Sequence, residues 1–198
     1  MPITEESPLA PINPYGFSKY VMERMLDDFE RAFGIRSAVL RYFNAAGADA
    51  NGELSERHNP ETHLIPRVLM AAAGQIPVVE IFGNDYPTPD GTCIRDYIHV
   101  TDIAEAHVRA LDHLLSGKNS LKVNLGTGNG YSVQEIIEMT KIILGFPVPT
   151  IMCNRREGDP SSLIADVSLA KDILQWIPKH SNLENIIRTA ALAFHNYL

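Results

Sequence analysis

Residues 122–135, KVNLGTGNGYSVQE, place a strand, a turn and the start of a helix in direct succession. The opening residues are typical of a short strand, and the glycine-rich segment 126–130 follows as the turn. Ser132 and Glu135 have the spacing of a capping box, which predicts a helix from there to Leu144. This strand–turn–helix unit indicates an α/β protein.

The same alternation continues outward from this unit along the chain. Asn13 and Pro14 predict the start of the first helix, because Asn is a good N-cap and Pro fits the first helical position, and Gly34 predicts its end. Asp102 and Glu105 predict a second capping box. The expected strands are 37–43, 78–82, 97–100, 122–125 and 150–152, and the other expected helices are 64–73, 102–115, 168–174 and 183–197.

Composition and charge exclude several classes of protein. The 198 residues carry 17 basic and 24 acidic side chains, and a net charge of −7 is not typical of proteins that bind nucleic acid or an anionic membrane. No apolar run approaches the roughly 18 residues of a membrane helix, and the first residues lack the features of a secretion signal. Cys93 and Cys153 are far apart, so we expect reduced thiols in a cytoplasmic protein.

The glycine-rich segment 126–130 is also a candidate for a phosphate-binding turn. It reads G-x-G-x-G rather than G-x-G-x-x-G, and no acidic residue follows at the end of a second strand about 20 residues later. We therefore interpret the segment as a flexible connection between a strand and a helix.

Tyr15 and Lys19 are four residues apart and should share one face of the first helix. That face continues as an apolar stripe expected to face the core: Met22, Leu26, Phe29 and Phe33. A positive charge beside a tyrosine favours the phenolate, so the pair could act as a general base. The alternative is a packing tyrosine beside a lysine that extends its ammonium to water. Spacing alone leaves both open.

The histidines give no clear sign of a metal site. His58 and His63 lie close to Glu61 in the sequence, but Asn59-Pro60 prevents the helical geometry that would bring the two imidazoles together. We expect His99 and His107 to make local hydrogen bonds. The sequence therefore predicts no metal.

The run FGNDYPTPDGTCIRDYIHV, residues 82–100, resembles the UDP-glucose 4-epimerase family of extended short-chain dehydrogenases/reductases. Further segments are similar to that family in the same order: NPYGFSK (13–19), LRYFN (40–44) followed by Gly47, HLIP (63–66), NLGTG (124–128) and RREGD (155–159). The resemblance covers essentially the whole chain. It implies the C-terminal part of a Rossmann-like fold with a smaller α/β substrate-binding domain.

The resemblance also implies a reaction: an isomerase with bound NAD interconverts UDP-glucose and UDP-galactose through a 4-keto intermediate. Tyr15 would take the proton from the sugar 4-hydroxyl, while Lys19 would hold the nicotinamide ribose and lower the pKa of the phenol. Phe43 would line the nicotinamide pocket. The implied contacts to the nucleotide sugar are Asn44 (diphosphate), His63 and Leu64 (uracil), Glu80, Ile81 and Phe82 (nucleotide), Arg95 and Arg156 (phosphates), Asp159 (ribose or uridine) and Leu163 (size of the sugar pocket).

Members of this family carry a dinucleotide-binding half ahead of the segment that matches this chain. We therefore expect a C-terminal portion that binds NAD negligibly and is inactive alone, with the other half in cis or on a separate chain, and a homodimer when complete. Residues 1–59 would be the remainder of the NAD domain and 60–198 mainly the substrate domain, with 97–125 returning to the Rossmann part. Alternatives are a UDP-N-acetylhexosamine 4-epimerase, a nucleotide-sugar dehydratase, or a non-catalytic remnant that binds nucleotide sugar.

Overall fold

The computed structural model describes residues 2–194, which form short and mainly parallel sheets with helices against them. The helices are α1 (Pro14–Phe33), α2 (Leu64–Ala72), α3 (Val100–Leu115), α4 (Val133–Leu144), α5 (Ser168–Leu174) and α6 (Leu183–Leu192). The strands are β1 (Ala38–Tyr42), β2 (Asn44–Ala46), β3 (Val79–Phe82), β4 (Ile94–Arg95), β5 (Tyr97–His99), β6 (Leu121–Leu125), β7 (Tyr131–Ser132), β8 (Thr150–Cys153) and β9 (Ser162–Leu163). The predicted α/β class is confirmed.

The strand pairs are formed mostly between distant parts of the chain. β1 pairs with β6, β2 with β5, and β3 with β8, all in parallel. β4 lies between β7, which is antiparallel to it, and β9, which is parallel. Two apolar clusters form the core: one joins α2, β3, α4 and α6, and the other joins β5, α3, β6 and α5.

Most helix ends follow the local signals in the sequence. The side chain of Asn13 accepts a hydrogen bond from the Gly16 N–H at 2.8 Å, and Gly34 ends α1 with a φ of 68°. At α4, Ser132 and Glu135 form both hydrogen bonds of the predicted capping box. The end predicted for the last helix, Tyr197, lies outside the described residues, and α6 is assigned to Leu192.

The second predicted capping box, at Asp102, is wrong. α3 begins two residues earlier, and the His99 ring accepts the Thr101 N–H at 3.1 Å as its N-cap. The Asp102 carboxylate instead accepts hydrogen bonds from the backbone N–H groups of Lys179 and His180, both at 2.9 Å. Its partners are distant in the sequence, so tertiary structure overrides the local pattern.

The apolar stripe of α1 does not face the core, contrary to the sequence prediction. Met22, Phe29 and Phe33 are 56 %, 41 % and 71 % exposed. α1 has no buried residue.

A polar side of α1 faces β1 and β6 and makes ion pairs with them. Arg41 of β1 donates two hydrogen bonds to the Glu23 carboxylate, at 2.8 and 2.6 Å, and Lys122 of β6 contacts Asp27 at 2.7 Å. Both pairs are partly shielded from water. These ion pairs fix which side of α1 meets the sheet, so its apolar side faces outward.

Candidate functional site

A cavity of about 250 Å³ lies between the start of α2, the edge of β3 and the loop that follows β8. Eight residues that the sequence analysis assigned to the nucleotide sugar line this cavity: Asn44, His63, Leu64, Glu80, Phe82, Arg95, Arg156 and Asp159. They come from five separate segments of the chain. The fold therefore gathers most of the predicted nucleotide-sugar contacts in one place.

β3 lines the cavity with Glu80 and Phe82, which lie on one face of the strand, and also with Val79 at its start. Glu80 and Phe82 line the cavity, whereas the side chain of Ile81 points the other way and is 1 % exposed in the core. A role for Ile81 in the site would therefore involve its backbone rather than its side chain. Glu80 is paired with Arg67 of α2 at 3.3 Å.

Two of the three guanidinium groups that line the cavity, those of Arg95 and Arg156, lie in different surroundings. The side chain of Arg95 is 11 % exposed and contacts the Asp159 carboxylate at 2.5 Å. The Arg156 guanidinium lies 4.0 Å from the centre of the Phe82 ring. Within residues 2–194, Arg156 takes part in no ion pair. Its charge is therefore available to an anionic ligand, while that of Arg95 is already partly compensated.

The cavity includes residues that the sequence analysis missed. Arg67 lines the cavity from α2, one helical turn after the N-cap residue His63. Because residues four apart share a helix face, the position of His63 could have predicted that Arg67 lies in the site. Cys93 also lines the cavity, and burial raises the pKa of its thiol, so it remains protonated at neutral pH. Both cysteines are free.

Tyr15 and Lys19 lie on α1, outside the cavity lining. The Lys19 Nζ atom is 5.2 Å from the centre of the Tyr15 ring, so the two side chains share one face as the spacing predicts. Tyr15 is 72 % exposed. The pair is therefore accessible, and its catalytic role stays a prediction.

Phe43 and Leu163 are half-buried, and neither lines the cavity. The Phe43 N–H donates to the Leu125 carbonyl at 3.1 Å, which continues the pairing of β1 with β6. Leu163 lies on β9 in register with Arg95 on β4. It is thus on the strand adjacent to a cavity residue, and its control of the sugar pocket stays a prediction.

The glycine-rich loop 126–130 is filled by a carboxylate from the same chain. Asp96 accepts hydrogen bonds from the N–H groups of Thr127 at 2.9 Å and Gly128 at 3.1 Å. A Cβ atom on Gly126 would lie 2.5 Å from an Asp96 oxygen, which explains why glycine is required there. The loop uses its N–H groups internally, in agreement with its interpretation as a structural turn.

Four potential metal ligands converge in the loop before α2: Glu56, His58, Glu61 and His63. Their nitrogen and oxygen atoms all lie within 4.8 Å of one another. The sequence predicted no metal here, because Asn59-Pro60 prevents a helical arrangement of the two histidines. The loop brings the groups together without a helix, so that reason does not hold.

The other two histidines make the local hydrogen bonds that were predicted. The His99 ring accepts the Thr101 N–H at 3.1 Å, and His107 contacts the Ile103 carbonyl at 2.9 Å. His99 also contacts the hydroxyl of the distant Thr189 at 2.9 Å. Across residues 2–194, no helix has both the length and the apolar character needed to cross a membrane.

Comparison with known proteins relates this chain to one family. Residues 1–126 match the model of the NAD dependent epimerase/dehydratase family. A UDP-glucose 4-epimerase from Halalkalibacterium halodurans is 50 % identical over 190 residues, which is 96 % of this chain and 57 % of that protein. This chain therefore spans a little over half the length of that curated relative.

Solved structures give the same relationship. A UDP-glucose 4-epimerase from Brucella ovis in complex with NAD superimposes with a TM-score of 0.95 and 54 % identity, over 98 % of this chain and 59 % of that one. A UDP-Glc/GlcNAc 4-epimerase from Campylobacter jejuni gives a TM-score of 0.82 and 43 % identity, over 98 % of this chain and 59 % of that one.

Proposed function

Because the chain belongs to the NAD dependent epimerase/dehydratase family, we propose that it provides the nucleotide-sugar site of a UDP-glucose 4-epimerase. This isomerase interconverts UDP-glucose and UDP-galactose with NAD as cofactor. The observation that carries the proposal is the convergence of eight predicted nucleotide-sugar contacts in one cavity. The names of the similar proteins support the same substrate.

The charges in the cavity suit a nucleoside diphosphate. A guanidinium presents parallel N–H donors that match phosphate oxygens, and Arg95 and Arg156 place two such groups on one wall. The Asn44 amide lies on the same cavity and can donate a further hydrogen bond. Asp159 can accept hydrogen bonds from ribose hydroxyls. The protein can therefore bind a diphosphate locally although its net charge is −7.

Tyr15 and Lys19 provide the acid–base group of the proposed reaction. NAD, when bound, would accept hydride from the sugar C4 and return it to the other face. The Tyr15 side chain takes the proton of the 4-hydroxyl, and the Lys19 ammonium lies 5.2 Å from the centre of its ring. The Tyr15 and Lys19 side chains are both exposed and are therefore accessible to the nicotinamide-ribose end of NAD. The glycine-rich loop does not suit the pyrophosphate, because Asp96 already occupies its N–H groups.

The exposed apolar side of α1 indicates that a further polypeptide packs against this helix in the assembled protein. Met22, Phe29 and Phe33 form part of it, and large apolar surfaces of this kind are normally covered in the assembled protein. We assign this cover to the remaining NAD-binding part of the family fold, in cis or on another chain, and to a second copy in a homodimer. Residues 1–59 and 97–125 would then belong to the NAD side, and the rest mainly to the substrate side.

A UDP-N-acetylhexosamine is the second candidate substrate. The Campylobacter jejuni structure is of an enzyme for both UDP-Glc and GlcNAc forms. Leu163, the residue assigned to the size of the sugar pocket, is smaller than an aromatic side chain. We therefore propose weaker activity on N-acetylated sugars.

The two free cysteines agree with a reducing, cytoplasmic location.

Calorimetric titration of the 198-residue chain with UDP, UMP and ADP tests the nucleotide site. We expect UDP to bind at one site per chain and more tightly than UMP, because the second phosphate meets both arginines. ADP should bind more weakly than UDP, because the site is assigned to uracil. Absence of UDP binding, or equal affinity for UDP and ADP, would overturn the proposal.

A further inference from the structure

The loop before α2 carries a carboxylate–histidine cluster, formed by Glu56, His58, Glu61 and His63. We propose that this cluster binds one divalent transition-metal ion of the Zn²⁺ type at the edge of the cavity. His63 is also a predicted uracil contact, so the cluster shares one residue with the nucleotide-sugar site, but the binding of an ion is measured without nucleotide.

The distances within the cluster suit a single small ion. His63 Nδ1 lies 2.7 Å from Glu56 Oε1 and 2.9 Å from Glu61 Oε1. His58 Nδ1 lies 3.0 Å from Glu56 Oε1 and 3.7 Å from Glu61 Oε2. Tetrahedral Zn²⁺ with bonds of about 2.1 Å separates its ligand atoms by about 3.4 Å. These four distances differ from that separation by about 0.3–0.7 Å, so modest shifts of the side chains would bring these atoms to that spacing.

The cluster contains two carboxylates and lacks a permanent cation. Within residues 2–194, the ion pairs of Glu56 and Glu61 are made only with the two histidines. Neutral imidazoles leave two negative charges close together. A divalent cation compensates both charges, and imidazole with carboxylate is a ligand set that Zn²⁺ accepts.

Glu61 is held in place as an ionised ligand. Its side chain is 6 % exposed, and its Oε1 atom accepts the N–H groups of Thr62 at 2.7 Å and His63 at 2.8 Å. Burial acts to raise the pKa of Glu61, but the hydrogen bonds from His63 and Thr62 outweigh it and lower that pKa. The second Glu61 oxygen makes neither of these backbone contacts and remains available to an ion.

The cluster lies where a bound ion would meet the cavity. Glu56 and His63 both line it. His58 and His63 are 54 % and 56 % exposed in their side chains, so an ion can reach them from water. A bound Zn²⁺ would replace the hydrogen bonds between imidazoles and carboxylates, because both use the same Nδ1 atoms.

Titration of the tag-free 198-residue chain with Zn²⁺ after removal of metals by a chelator tests the site. We expect one equivalent to bind, and Co²⁺ in its place to give the strong visible absorption of tetrahedral coordination. His58→Ala and Glu61→Gln should each weaken Zn²⁺ binding by at least about 100-fold, the upper range for loss of an outer partner of a metal ligand. Glu61→Gln keeps the oxygen that the backbone N–H groups require, so folding should be preserved.

Two matched variants distinguish this site from general surface binding. His113→Ala and Glu53→Gln remove the same side-chain types outside the cluster, and both should keep wild-type Zn²⁺ affinity. The proposal is overturned if no equivalent of Zn²⁺ binds, if the His58 and Glu61 variants bind like wild type, or if the control variants lose affinity equally.

Discussion

Replacement of Arg156 by glutamine should weaken UDP binding without unfolding the protein. Arg156 lines the cavity, stacks on Phe82 at 4.0 Å and takes part in no ion pair within the described part of the chain. Its positive charge is thus free for the diphosphate. A hydrogen bond to a charged group contributes about 1.5–3 kcal/mol. This range corresponds to a loss of roughly 10–100-fold in UDP affinity for Arg156→Gln.

The cost in stability should be much smaller than this loss in binding. Arg156 is exposed, and its contact with the Phe82 ring contributes about 0.5–1 kcal/mol at such a site. Arg156→Lys keeps the charge but loses the planar donors and the stacking, so its UDP affinity should be intermediate. Chemical denaturation of each variant would measure the change in the free energy of unfolding.

Arg188→Gln is the matched control for this experiment. Arg188 is exposed on α6, pairs with Glu184 at 2.7 Å and does not line the cavity. Its loss should leave UDP affinity unchanged in the same calorimetric titration. If Arg156→Gln bound UDP as tightly as wild type, or if Arg188→Gln lost affinity to the same extent, the assignment of the cavity to the diphosphate would be refuted.

Four further predictions follow from the site and the fold. With the remaining part of the family fold supplied, Tyr15→Phe should lower turnover by about 10²–10⁴-fold with little change in UDP affinity, and near-normal turnover would remove Tyr15 as the base. In the same completed enzyme, Leu163→Tyr should abolish the weaker activity on N-acetylated sugars and spare UDP-galactose; survival of that activity would exclude Leu163 as the gate. Calorimetry of the 198-residue chain with NAD should detect negligible binding, and micromolar affinity would contradict this. Gly126→Ala, whose Cβ would lie 2.5 Å from an Asp96 oxygen, should lower the free energy of unfolding by about 1–3 kcal/mol in urea denaturation, whereas an unchanged midpoint would show that the loop can adapt.

Local sequence determined the elements whose signals lie within a few residues. The N-cap at Asn13 and the capping box of Ser132 and Glu135 form as predicted, because their hydrogen bonds span three residues and need no tertiary partner. The strands β2, β4, β7 and β9 escaped prediction, because two or three residues are too few for a hydrophobic period. They exist through pairing with distant segments.

The resemblance of whole segments predicted the site residues but not their arrangement. Nothing in the sequence alone states that Arg95 contacts Asp159, or that Arg156 stacks on Phe82. The exposure of the apolar stripe of α1 could not be predicted from the sequence either. A helical period predicts that one face is apolar, but the ion pair of Arg41 with Glu23 decides which face meets the sheet.

Sequence by itself determined the α/β class, the main helices and the family resemblance, because each depends on patterns that are local or read along the chain. Tertiary structure alone determined the hydrogen-bond partners of Asp102. Its carboxylate accepts the backbone N–H groups of residues 179 and 180 instead of capping its own helix. Tertiary structure also determined that His58 and His63 lie close together. The centres of their rings are 5.1 Å apart in a loop that is not helical. These contacts depend on how the chain returns in space, and spacing along the sequence does not encode that distance.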